Sequence, residues 1–89
     1  MEQKIILITG ASSGIGRDAA LALAAHGHKV YAAARRTDLM EPLRAHGIEV
    51  LRMDVTDGQS MADGVETILK AEGRIDVLVN EAVHRLQRR

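Results

Sequence analysis

Four short runs of mostly apolar, β-prone residues recur along the chain, and each is parted from the next by a segment of helical character. The runs are Gln3 to Thr9, Lys29 to Ala34, Glu49 to Val55 and Ile75 to Asn80. Strands joined through helices pair in parallel, because the crossover returns the chain to the same end of the sheet. The first run, QKIILIT, is nearly continuous in apolar residues rather than alternating, the pattern of a strand covered on both faces. The alternation predicts an α/β domain with a doubly wound parallel sheet, three crossover helices and a short helical tail. Right-handed crossovers put the first two helices on one face. Strand order 3-2-1-4 then reverses the direction of travel and sends the third helix to the other face. A ligand crevice opens where strands one and four diverge at their carboxyl ends.

Helix boundaries are marked by caps. Ile15 to Ala25 is rich in Ala and Leu, and Gly27 stops it. Asp38 with Glu41 three residues later reads as a capping box opening a short helix to His46, ended by Gly47. Pro42 falls in its first turn, where amide donors lack helical partners anyway. Asp57 reads as the N-cap of a helix to about Glu72, with Gly64 weakening its middle and Gly73 closing it. The final EAVHRLQRR is expected to form two helical turns. No repeat, linker or low-complexity segment interrupts the series.

Composition removes several function classes. Twelve basic and twelve acidic residues cancel, and a single Tyr is the whole aromatic content, so neither charge nor base stacking points to nucleic acid. Cysteine is absent, which excludes disulfides and thiolate chemistry. No apolar run approaches the 18 or so residues of a membrane span, and Met1 to Lys4 lead directly into the first strand without a secretory signal. A cytoplasmic protein is expected. His26, His28, His46 and His84 are scattered and read as surface histidines rather than metal ligands. Met40, Met53 and Met61 read as core filler.

Directly after the first run stands Thr9-Gly10-Ala11-Ser12-Ser13-Gly14-Ile15-Gly16. Gly10 permits a tight turn off the strand, Gly14 lets backbone approach a pyrophosphate, and Gly16 lets the helix pack closely. Amides near Gly14 and Ile15 face the phosphates, favoured by the helix dipole. Taken alone, a G-x-x-x-G-x-G spacing also fits an ordinary strand-to-helix turn.

TGASSGIG resembles the cofactor loop of the short-chain dehydrogenase/reductase family. VYAAARR, MDVTD and GRIDVLVN follow in that family's order and spacing, from Lys4 through Asn80, with Ala82 two residues on. The resemblance implies a Rossmann-like cofactor-binding portion over residues 1–80, with 81–89 a divergent basic tail. It implies that Thr9 and Asn80 tie strands one and four to the loop. It assigns Gly10, Gly14, Ile15 and Gly16 to pyrophosphate, with hydroxyl donors from Ser12 or Ser13. Asp54 would accept from the adenine amino group, with the Val55 backbone beside it.

Cofactor choice has a physical basis. A carboxylate at the end of strand two would bond the ribose 2′-hydroxyl of NAD. Here Ala34 holds that place, followed by Arg35 and Arg36. A guanidinium can hold a 2′-phosphate bidentately, so NADP is expected over NAD, although Asp38 stands nearby. Arg17 is either a second phosphate contact or a surface charge.

The family's hydride transfer between cofactor and a carbonyl or alcohol uses a Tyr-x-x-x-Lys pair and a preceding Ser. No Tyr-x-x-x-Lys occurs in this sequence, whose sole tyrosine, Tyr31, lies inside strand two. No catalytic residue is assigned. After strand four the family's N-N-A-G is replaced by Asn80-Glu81-Ala82-Val83. Residues 1–80 carry nine basic and eleven acidic groups, whereas the tail sets Arg85, Arg88 and Arg89 against Glu81. This shift suggests an altered or truncated end. Three functions stay open: the NADP-binding part of an oxidoreductase, a non-catalytic nucleotide-binding module, and a fragment acting only through assembly. The edge of Ile75 to Asn80 is expected to support a homodimer, since an apolar unpaired edge invites another chain.

Overall fold

The structure, a computed structural model, describes residues 2–80; the predicted helical tail, 81–89, lies outside the described residues. Strands β1 (Ile5–Thr9), β2 (Lys29–Ala34), β3 (Glu49–Arg52) and β4 (Val77–Asn80) form one parallel sheet in the order β3-β2-β1-β4. This is the doubly wound, Rossmann-like arrangement expected from the alternation. β1 is buried along its whole length because a strand flanks it on each side and a layer covers each face.

Alternate residues feed two cores. Ile6, Ile8, Val30, Ala32 and Ala34 pack with Ala20 of helix α1 (Gly14–Ala25) and with Met40, Leu43 and Ile48. Ile5, Leu7, Tyr31, Ala33 and Met53 pack with Ile68 of helix α2 (Gly58–Glu72) on the opposite face. The first two connections therefore share one face and the third takes the other, as right-handed crossovers require.

α2 has the caps expected of it. The Asp57 carboxylate accepts from the amides of Gln59 and Ser60 at 3.0 and 3.4 Å, and Gly73 closes the helix at φ 84°. Gly64 has a use its sequence context hides. It is buried, and a Cβ there would run into the terminal methyl of Met53, so α2 lies close against the sheet at this point.

The connection between β2 and β3 departs from expectation. Two short 3₁₀ segments, Thr37–Leu39 and Glu41–His46, replace the predicted helix, and neither has a side-chain cap. The Asp38–Glu41 capping box does not form. Asp38 is drawn to Arg36, Glu41 bonds Arg44 at 2.8 Å, and Pro42 removes an amide donor. Fully buried Met40 pins the tight turn, and Leu43 and Ile48 fill the core beside it.

Strand ends are also shorter than predicted. β3 stops at Arg52, and the chain then turns at Val55–Thr56, where the Asp54 carboxylate accepts from the Thr56 amide at 2.9 Å. β4 starts at Val77 because the Asp76 carboxylate takes the Ile5 amide at 2.7 Å. Gln3 and Lys4 stay exposed ahead of β1.

Candidate nucleotide-binding site

Parallel register gathers the carboxyl ends of the strands. Thr9 stands opposite Ala33 on one side and Asn80 on the other. Its buried hydroxyl donates to the Asn80 side-chain carbonyl oxygen at 2.8 Å and ties β1 to β4. Gly10 follows at φ 72°, a left-handed conformation that turns the chain off the strand. The Ala11 amide then donates to the Ala33 carbonyl at 3.2 Å, which anchors the loop on the end of β2.

Ser13 caps α1. Its hydroxyl donates to the Gly10 carbonyl at 3.0 Å and accepts from the Gly16 amide at 3.3 Å. A Cβ on Gly16 would sit 2.7 Å from the Gly10 oxygen and 2.9 Å from the Ala11 Cα. The first turn of α1 is thus seated on the loop backbone itself. Gly14 is the reverse case: it is exposed, and a Cβ there would meet nothing within 4 Å. The Gly14 and Ile15 amides lie in the first helical turn, where no intrahelical acceptor serves them. No acidic residue stands in that turn. The turn therefore presents a partial positive charge, with open space beside Gly14. Ser12 is half-buried beside it.

The neighbouring wall comes from β2 and β3. β2 ends at buried Ala34, and the exposed Arg35 and Arg36 follow. The Arg36 guanidinium is already engaged: Nε and Nη2 donate to the two oxygens of Asp38 at 3.2 and 3.0 Å. Arg35 makes no ion pair among the described residues. Asp54 sits beyond the end of β3, its backbone amide donating to the Ser60 hydroxyl at 2.9 Å. The Thr56 hydroxyl and then its amide hold the Asp54 carboxyl below the usual carboxylate range, with smaller help from Arg35 and Arg52. Both Thr56 bonds land on Oδ1. Val55 is half-buried beside it.

The cofactor-binding candidates therefore stand at or after the carboxyl ends of the strands. Three contributors were not singled out for the roles they take. Ala11 acts through its backbone amide, and its complete burial is the only reason its size matters. Ser60 supports the turn at Asp54, a role signalled only by its place in the first turn of α2. Asp38 partners Arg36, an R-x-D spacing that recurs at Arg74 and Asp76.

Tyr31 stands inside the sheet, away from the loop. It is buried in β2 with its hydroxyl donating to Glu72 at 2.6 Å. Burial, then the Glu72 hydrogen bond and charge, push its pKa upward. No helix among the described residues is long and apolar enough to cross a membrane, and no cluster of three potential metal ligands occurs among them.

This strand-loop-helix cradle on a doubly wound sheet is the architecture of a dinucleotide-binding oxidoreductase domain. The chain belongs to the short-chain dehydrogenase family, whose model matches residues 4–88 and so runs past Asn80. It is 43% identical over 83 residues to 3-ketodihydrosphingosine reductase of Bacteroides thetaiotaomicron, covering 92% of this chain and 29% of that protein. Among solved structures, a short-chain dehydrogenase from Streptomyces avermitilis superposes with a TM-score of 0.87 at 43% identity, over 91% of this chain and 31% of that one. An alcohol dehydrogenase from Thermococcus sibiricus, complexed with 5-hydroxy-NADP, superposes with a TM-score of 0.76 at 34% identity, over 86% of this chain and 36% of that one. The chain spans about a third of the length of these relatives.

Proposed function

We propose that this chain binds NADP at the carboxyl edge of its sheet, as the cofactor-binding portion of a short-chain dehydrogenase/reductase-type oxidoreductase, and does not turn over substrate by itself. One contact carries the reading: the Ala11 amide on the Ala33 carbonyl sets the glycine loop against Ala34 and Arg35. The strand end nearest the loop then carries a buried alanine followed by an exposed cation where NAD binding would want a carboxylate.

When bound, the cofactor supplies or accepts a hydride at a carbonyl or alcohol carbon. The chain's own residues do the holding. Gly10, Gly14, Ile15 and Gly16 take the pyrophosphate on backbone amides and open space, with the Ser12 hydroxyl beside them, while the Ser13 hydroxyl is committed to the cap. Arg35 and Arg36 meet the 2′-phosphate, and Asp54 with Val55 meets the adenine. Thr9 and Asn80 hold the two central strands at the crevice. With Tyr31 buried against Glu72, no placed proton donor remains among these residues, and general acid–base help of about 10²–10⁴-fold is lost.

Titration of the whole chain with NADPH and NADH tests this. NADPH should bind more tightly, Arg35→Ala should reduce the preference, and Ala34→Asp should turn it toward NADH. Equal affinities unmoved by either substitution would refute the NADP assignment. Steady NADPH oxidation with a panel of carbonyl compounds, abolished by Gly14→Val, would refute the absence of turnover. Failure to bind either dinucleotide would favour a role in assembly alone. A homodimer through Ile75–Asn80 belongs to the same proposal: β4 is the last strand among the described residues, and Val77 and Leu78 are 39% and 57% exposed.

A further inference from the structure

We infer that Asp38 tunes the cofactor preference of this site by competing with the 2′-phosphate for the Arg36 guanidinium. The inference rests on the dinucleotide reading above and adds to it a residue that works against the preferred ligand. Arg36 offers its Nε and Nη2 donors as a fork, and both are bonded to the Asp38 carboxylate, at 3.2 and 3.0 Å. A phosphate is recognised bidentately by the same kind of fork. The carboxylate therefore occupies donors that a phosphate would use.

The competitor is held in place by the backbone. The Met40 amide donates to the Thr37 carbonyl at 2.9 Å and the Leu39 amide to the Arg36 carbonyl at 3.3 Å, which closes the turn that carries Asp38. Met40 is fully buried in the core on the α1 face, so this turn is anchored whether or not a nucleotide is present. Arg35, next in the chain, has no such partner among the described residues, and the two arginines are thus inequivalent. Arg35, which feels the Asp54 charge but holds no bonded carboxylate among the described residues, can attract the phosphate at once, whereas Arg36 must first leave Asp38.

The pair is open to solvent, with side chains 69% and 64% exposed. An exposed pair of this kind is weak, so a doubly charged phosphate can displace it at a modest loss of affinity. Removing the carboxylate's charge should tighten 2′-phosphorylated ligands by about two- to fivefold.

The test measures NADPH and NADH binding to the whole chain as wild type, Asp38→Asn, Arg36→Ala and the double variant. Asp38→Asn should tighten NADPH about two- to fivefold, leave NADH unchanged, and give no gain once Arg36 is Ala. A gain that persists without Arg36, or an equal change for both cofactors, would overturn the competition. A loss of NADH affinity in Asp38→Asn would overturn it too, by assigning Asp38 to the ribose hydroxyl. Binding of both cofactors with no Arg36-dependent gain defeats the role of Asp38 alone. Binding of neither defeats the dinucleotide reading and this inference together.

Discussion

Gly14 and Gly16 stand two residues apart in the first turn of α1, yet alanine should have opposite consequences at the two positions. At Gly16 the new methyl would lie 2.7 Å from the Gly10 oxygen, 2.9 Å from the Ala11 Cα and 3.2 Å from the Gly10 carbonyl carbon. All three neighbours are backbone, so no side chain can swing away and the loop itself must move. Overpacking of this kind costs about 1–3 kcal/mol, and the better helix propensity of alanine returns at most about 1 kcal/mol. The expected net loss is about 1–2 kcal/mol, or roughly 4–16 °C in Tm for a domain of this size. The displaced Gly10–Ala11 backbone should also weaken NADPH binding. At Gly14 a methyl meets nothing within 4 Å, so Gly14→Ala should leave stability unchanged or raise it by about 0.5 kcal/mol. If NADPH binds as proposed, it should nevertheless weaken NADPH by about tenfold or more, because the methyl would take the space assigned to the pyrophosphate. Gly64→Ala supplies a control inside α2, since its methyl meets chiefly the flexible end of Met53 and should be tolerated within about 1 kcal/mol. Thermal and urea melts followed by circular dichroism, paired with cofactor titration, separate these outcomes. A Gly16→Ala protein as stable as wild type, or a Gly14→Ala protein with unaltered NADPH affinity, would refute the reading of the cradle.

Thr9→Val deletes the buried hydroxyl that donates to Asn80 and should cost about 1 kcal/mol in urea unfolding, with an unchanged midpoint counting against a tie between β1 and β4. The Asp76 carboxyl is held below its ordinary range, chiefly by the Ile5 amide and then by Arg74, so the folded chain favours its charged form. Its contribution should be complete above about pH 4 and fade as pH falls through the lowered value. Asp76→Asn should therefore flatten the acid limb of stability against pH, and an identical limb in both proteins would contradict the assignment. Val77→Lys places a charge at the exposed edge of β4 and should shift sedimentation toward monomer. A wild type that stays monomeric at high concentration would remove the edge-pairing argument.

Features set by one residue and its immediate neighbours were legible in the sequence. The apolar run of β1, the Asp57 cap and the Gly73 stop each follow from local chemistry, and all appear as expected. Features set by competition were not. The Asp38 carboxylate has two local outlets, an amide ahead of it or the Arg36 fork behind it, and both are plausible from spacing alone. Burial of Met40 tightens the turn, and the fork is what Asp38 takes in the folded chain. Gly64 likewise reads as a weak point until Met53, eleven positions earlier, is placed against it by the packing of α2 on the sheet. The position of the candidate site was legible for a deeper reason. β1 is buried on both faces and paired on both edges, so its register is fixed by two cores at once. A slip of one residue would exchange Ile6 and Ile8 for Ile5 and Leu7 across the sheet and carry Thr9 away from both Ala33 and Asn80. Resistance to that slip keeps the loop anchored on β2 and Asn80 within reach of Thr9, so the core that stabilises the fold also sets the geometry of the crevice.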